Sequence, residues 1–127
     1  MIVLDVSFAM KLLTREISMD QFDETESFIA PDLFDYEIAN VLWKLTKFNG
    51  LTAHDAEKFF EAIDSLEIIK EQLDSLKLFN CSVETGLTAY DAAYFTLAKE
   101  HNCPLATIEQ KLIEIAQSRN IEIISAK

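Results

Sequence analysis

Short apolar runs alternate with segments of helical period along this chain, and few architectures satisfy such a pattern. "IVLD" is an apolar run ending at Asp5. "SFAMKLLTRE" follows, with Ser7 placed to cap a helix. "DQFDETESFIA" reads as an acidic amphipathic helix feeding a short strand near Ile29. "DLFDYEIANVLWKLTKFNG" is a long helix after Pro31, closed by Asn49-Gly50. Its apolar residues cover most of its circumference, which predicts extensive burial. "LTAHDAEKFFEAIDSL" opens with Thr52 and Asp55 in capping-box spacing, and "LEIIK" is a strand. "EQLDSLKLFNCSVETG" is helical to Gly86, and "TAYDAAYFTLAKEHN" is a helix capped by Thr88. "PLAT" is a strand, "IEQKLIEIAQSRN" a helix, and "IEIIS" the last strand. Strands alternating with helices imply βαβ units, hence a largely parallel sheet with helices on both faces. The 127 residues carry no linker or repeat, which predicts one domain over residues 1–127.

Half the residues are hydrophobic and only two are Gly and two Pro, as expected of a folded, helix-rich chain. No apolar run has the length of a membrane span, and Lys11 and Arg15 follow the first apolar run instead of preceding it. A cytoplasmic protein with no membrane partner is the expectation. Cys81 and Cys103 lack CxxC spacing and read as two reduced, buried thiols. His54 and His101 are isolated, which gives no support to a zinc site or a histidine base. The formal charge of −11 argues against nucleic-acid binding through a broad basic surface. It leaves room for a nuclease whose acids gather at a metal site, and for a basic protein partner.

Ligands of parallel sheets bind beyond the carboxyl ends of the strands. Asp5 stands at one such end and Glu109 just past another, after "PLAT". Each acid also has a local explanation. Asp5 can cap the following helix. Glu37 belongs to a polar stripe with Asn40 and Lys44 on an otherwise apolar helix. Asp91 completes a capping box with Thr88, although the small pair Ala92-Ala93 beside it would let the helix start approach other backbone. Glu109 follows Thr107, which can itself cap the last long helix with Gln110 as its box partner, and Glu109 then sits in the first turn. Taken together, the four acids fall where a parallel sheet can gather them at one edge. Clustered carboxylates repel one another, and a hard divalent cation such as Mg²⁺ or Mn²⁺ relieves this. Such a site activates water and stabilises charge on a phosphate during in-line attack.

"IVLDVS", "APDLFDYEIANVLWKL", "TAYDAAYFTLAKE" and "CPLATIEQKL", in this order and spacing, resemble the PIN-domain ribonucleases of the VapC toxin type over essentially the whole chain. The resemblance implies a PIN-like, three-layer α/β fold with a central, mostly parallel sheet of about five strands flanked by helices. It implies Asp5, Glu37, Asp91 and Glu109 as catalytic acids, with Asp5, Asp91 and Glu109 on Mg²⁺ or Mn²⁺. The fourth position is usually Asp, so Glu109 is a departure that keeps the charge and adds a methylene. Ser7 and Thr107 match supporting polar positions, and Asn40 extends the set along the stripe of Glu37. The resemblance also implies RNA as substrate, a homodimer, and a cognate antitoxin whose tail, expected to be basic, occupies the groove. Lys11, Arg15, Lys44 and Lys111 are the bases nearest these elements in sequence.

Two rival functions come from other classes. One is a catalytically weak or inactive PIN-fold module that binds RNA or a basic protein, prompted by Glu109 and the acidic composition. The other is a phosphohydrolase or receiver domain using Asp5 as phosphoryl acceptor. It is disfavoured because Ser7 stands where a phosphatase of that type has a second Asp, and the receiver pattern of an acid pair and a late Lys is missing.

Overall fold

The structure is a computed structural model that describes residues 1–124. Its elements run β1 (Ile2–Leu4), α1 (Val6–Leu13), a 3₁₀ turn (Met19–Gln21), β2 (Phe28–Pro31), α2 (Leu33–Asn49) and α3 (Ala53–Ser65). They continue with β3 (Ile69–Glu71), α4 (Ser75–Thr85), α5 (Ala89–His101), β4 (Leu105–Ala106), α6 (Gln110–Ser118) and β5 (Ile123–Ile124). The strands form one five-stranded sheet in the order β3-β2-β1-β4-β5, and all four pairings are parallel. Ser125, the last residue of "IEIIS", lies outside the described residues.

This order has a reversal in it. From β1 the chain steps outward to β2 and β3, then returns to lay β4 against the free side of β1. Right-handed crossovers in opposite directions put the two sets of helices on opposite faces. Accordingly α1, α2 and α3 pack on one another, while α4 and α6 pack on α5. The reversal falls between β1 and β4, and doubly wound sheets bind ligands beyond the carboxyl ends of the strands at such a point.

The core follows from the apolar runs. Ile2, Val3 and Leu4 are all buried, as are all four residues of β2. In α5 every residue from Ala92 to Ala98 is buried. Its alanines let this helix lie close to β1 and β2, which it contacts directly. The expected stops are in place. Gly50 and Gly86 end α2 and α4 with φ of 77° and 78°, a left-handed conformation that a Cβ would strain.

Three expectations are corrected. The acidic segment around Asp20–Glu26 is not a helix. Ser18 accepts from the Asp20 amide, and Asp23 accepts from both the amide and the hydroxyl of Thr25. These local bonds hold the backbone in turns instead. The ring of Phe22 then packs edge-on against Phe8 and Phe28. Next, α2 is not buried around most of its circumference. Phe34, Ile38 and Leu42, one turn apart, form its buried stripe, while Trp43 is 52% exposed and Phe48 67%. Finally, Cys81 and Cys103 are unpaired as expected, but half-buried rather than buried.

Candidate active site

Asp5 follows directly from the register of β1. Its amide donates to the Ala106 carbonyl, which extends the β1–β4 ladder by one residue and brings Thr107 beside it. The carboxylate is 5% exposed and takes three donors. Oδ1 accepts from the Ser7 hydroxyl at 2.7 Å and from the Phe8 amide at 3.0 Å. Oδ2 accepts from the Thr107 hydroxyl, 102 residues away in sequence. A carboxylate offers about four lone-pair positions, so this one is pinned with one left over. Burial raises the Asp5 carboxyl above its ordinary value; its hydrogen bonds pull the other way, and the charge of Asp91 adds to the rise.

The structure thereby reassigns two residues. Asp5, not Ser7, is the N-cap of α1. Ser7 lies inside that helix and accepts from the Ile108 amide at 3.2 Å. Thr107 does not cap α6. Glu109 occupies the cap position without a side-chain bond, and Gln110 turns to Glu114 instead of completing a box. Thr107 accepts from the Glu109 amide while donating to Asp5, because the buried carboxylate is the stronger partner. Ser7 and Thr107 are therefore a clasp between the ends of β1 and β4.

Glu37 arrives from α2 and is half-buried. It accepts from the Tyr94 phenol of α5 at 2.6 Å. Burial raises its carboxyl, the Tyr94 bond opposes this, and the charges of Asp5 and Asp91 add to the rise. Asp91 sits in the first turn of α5, where its amide donates to the Thr88 hydroxyl. The Glu109 carboxyl lies beside the Asp91 carboxylate. Partial desolvation, the contact with Asp91, and the charges of Asp91, Asp5 and Glu37 push Glu109 up to about 7. Glu109 is exposed, so solvent screens part of this effect.

All four predicted acids are thus within electrostatic reach of one another. The site contains only oxygen donors, the chemistry that Mg²⁺ and Mn²⁺ prefer. Among the described residues, no group of three or more His, Cys, Asp or Glu side chains is arranged to hold a metal ion. Asn40 is exposed and bonds to none of the four acids.

Known proteins resemble this chain over most of its length. The chain is 30% identical over 119 residues to a VapC ribonuclease of Mycobacterium bovis, covering 94% of each chain. It matches Ribonuclease VapC9 of Mycobacterium tuberculosis to the same extent. The chain belongs to the PIN-domain VapC ribonuclease family. Ribonuclease VapC3 of Pyrobaculum aerophilum is 36% identical over 93 residues, 65% of this chain and 66% of that one. The crystal structure of PAE2754 from the same archaeon superposes with a TM-score of 0.79 at 22% identity. That likeness covers 96% of this chain and 81% of the other, and it bears on the fold. No family model matches the chain.

In this VapC-family chain the bases nearest the site elements are partly committed. Lys11 pairs with Glu16 at 3.0 Å, and Lys111 donates to the Gly86 carbonyl at 2.7 Å. Arg15 and Lys44 are exposed. The residue that sequence reasoning missed is Tyr94. It looks like core, lying in a run of apolar neighbours, and only its spacing of three from Asp91 hinted at the acid-bearing face.

Proposed function

We propose that this chain is a divalent-metal-dependent endoribonuclease, the toxin of a toxin–antitoxin pair. The observation that carries the reading is the gathering of Asp5, Glu37, Asp91 and Glu109 beyond the β1–β4 reversal. Asp5, Asp91 and Glu109 would hold Mg²⁺ or Mn²⁺, with Glu37 completing the acidic wall. When bound, the cation supplies positive charge for the phosphate oxygens and activates a water for in-line attack. Asp5 holds its orientation through three donors. Ser7 and Thr107 keep the two strand ends together. A cation bound between Glu109 and Asp91 would relieve the repulsion of the two carboxylates.

The same reading includes RNA as substrate, a homodimer and a cytoplasmic setting for a one-domain protein. Among the described residues no helix is long and apolar enough to cross a membrane. An antitoxin with a basic tail suits a wall of carboxylates, which Arg pairs bidentately. Purified protein incubated with single-stranded RNA should cleave internally only with added Mg²⁺ or Mn²⁺. EDTA should stop the reaction, and Asp91→Asn should abolish it. Cleavage that persists in EDTA would remove the metal from the mechanism. Glu109 in place of the usual Asp, together with the acidic composition, favours a second reading, an inactive binding module. Tight RNA binding without cleavage in millimolar Mn²⁺ would select it.

A stability measurement reads the same acids independently. Between the ordinary carboxylate range and about 7, folded Glu109 keeps a proton that the unfolded chain has released. Stability therefore falls as pH rises through this window and levels off above it. Asp5 and Glu37, also raised, act in the same direction. In EDTA the melting temperature should drop by a few degrees from pH 5 to pH 8. Millimolar Mg²⁺ should reverse the drop at pH 8, and Glu109→Gln should flatten it. A melting temperature that climbs across this range would contradict the carboxyl–carboxyl contact.

A further inference from the structure

We propose that Tyr94 is a positioning residue for Glu37, its phenol fixing one carboxylate oxygen so that the other is presented to the acid cluster; this rests on the metal-nuclease reading above. The four acids are not held alike. Asp5 has three donors, and Asp91 and Glu109 stand beside each other. Glu37 has one protein donor among the described residues, the Tyr94 hydroxyl, at 2.6 Å. A glutamate has three rotatable side-chain bonds and loses about 1.5–2 kcal/mol of rotamer freedom when held in one arrangement. On a half-buried helix face with neither cap nor ion pair, it would otherwise sample several.

Tyr94 suits the task. Its side chain is 2% exposed, on the most deeply buried stretch of α5, so its ring cannot swing with the solvent. It stands three residues after Asp91 on the same helix, while Glu37 comes from α2, 57 residues earlier than Tyr94 in sequence. One hydrogen bond thus ties the α2 acid to the helix that carries the α5 acid. A buried phenol needs an acceptor somewhere. Meeting that need with a site carboxylate couples core packing to site geometry.

Tyr94→Phe removes the hydroxyl and keeps the ring. The folded variant should bind Mn²⁺ about tenfold to a hundredfold more weakly by calorimetry, the usual consequence of losing a partner that orients a ligand shell. Its kcat on RNA should fall by a similar factor with KM unchanged. The decisive arm is a second background. In Glu37→Gln, adding Tyr94→Phe should change neither Mn²⁺ affinity nor kcat further, since the orienter acts only through Glu37. Tyr94→Met, which also lacks the hydroxyl but repacks, serves if the Phe variant melts below assay temperature. Wild-type affinity and kcat in Tyr94→Phe would overturn the proposal, as would an equal loss in both backgrounds. A wild-type protein that neither binds Mn²⁺ nor cuts RNA would overturn the metal-nuclease reading itself, and the role of Tyr94 with it.

Discussion

Asp5→Asn is expected to lower RNA cleavage by about a thousandfold, the scale of removing one charged or proton-handling group from a preorganised site. The same substitution should leave the melting temperature unchanged or raise it. The carboxylate is buried in a setting that disfavours its charge, and Asn carries none. Asn still accepts from the Phe8 amide and is among the best N-cap residues, so α1 keeps its start. Its amide N–H can donate to the Thr107 hydroxyl, which rotates to accept. The pairing of lost activity with retained or increased stability is what separates a site acid from a cap. Single-turnover cleavage and a thermal melt on one preparation decide it. Activity within tenfold of wild type would leave Asp5 as a cap alone.

Phe8→Ala should have the largest effect on stability. Phe8 is fully buried, and its ring meets Phe22 edge-on at 6.1 Å, with Phe22 meeting Phe28 at 5.4 Å. Truncating a buried Phe costs about 3–5 kcal/mol through lost transfer energy and the cavity left behind. Against a typical total of about 5–15 kcal/mol, that is about a fifth of the stability or more. Urea unfolding followed by circular dichroism measures it. A loss below about 1.5 kcal/mol would mean that the loop carrying Phe22 does not close over the core as described. The Phe8 amide, which serves Asp5, survives the change, so cleavage per folded molecule should hold.

How much of this was legible beforehand depended on how local the cause was. β1 announced itself because three branched apolar residues run into a carboxylate, and burial plus the end of the strand place that carboxylate at the sheet edge. The Gly50 and Gly86 stops and the Thr88 cap were legible because each answers to its own backbone. Thr107 was misread for the opposite reason. The Thr107–Gln110 spacing obeys the local rule for a cap, but Asp5, remote in sequence, offers the hydroxyl a buried charge and prevails. The cap expected at Ser7 lies at Asp5 for the same cause, the Ser7 hydroxyl being spent on that carboxylate. Tyr94 was invisible because nothing in a sequence tells a phenol that finishes against a carboxylate from one that merely fills space. The Asp20–Glu26 segment has helical charge spacing, but the side chains of Ser18 and Asp23 bond to nearby backbone amides.

The way β4 returns to β1 also has a temporal consequence. Asp5 and Glu37 are made first, on the half of the chain that contains β1 and β2, whereas Asp91 and Glu109 come with the half that closes the sheet. Until α5 docks, Glu37 lacks Tyr94, and until β4 docks, Asp5 lacks the Thr107 hydroxyl. A ribosome making this protein therefore carries an unarmed fragment for most of the synthesis. If the finished chain cuts RNA, any product that ends before Asp91 is harmless, because it lacks two of the four acids.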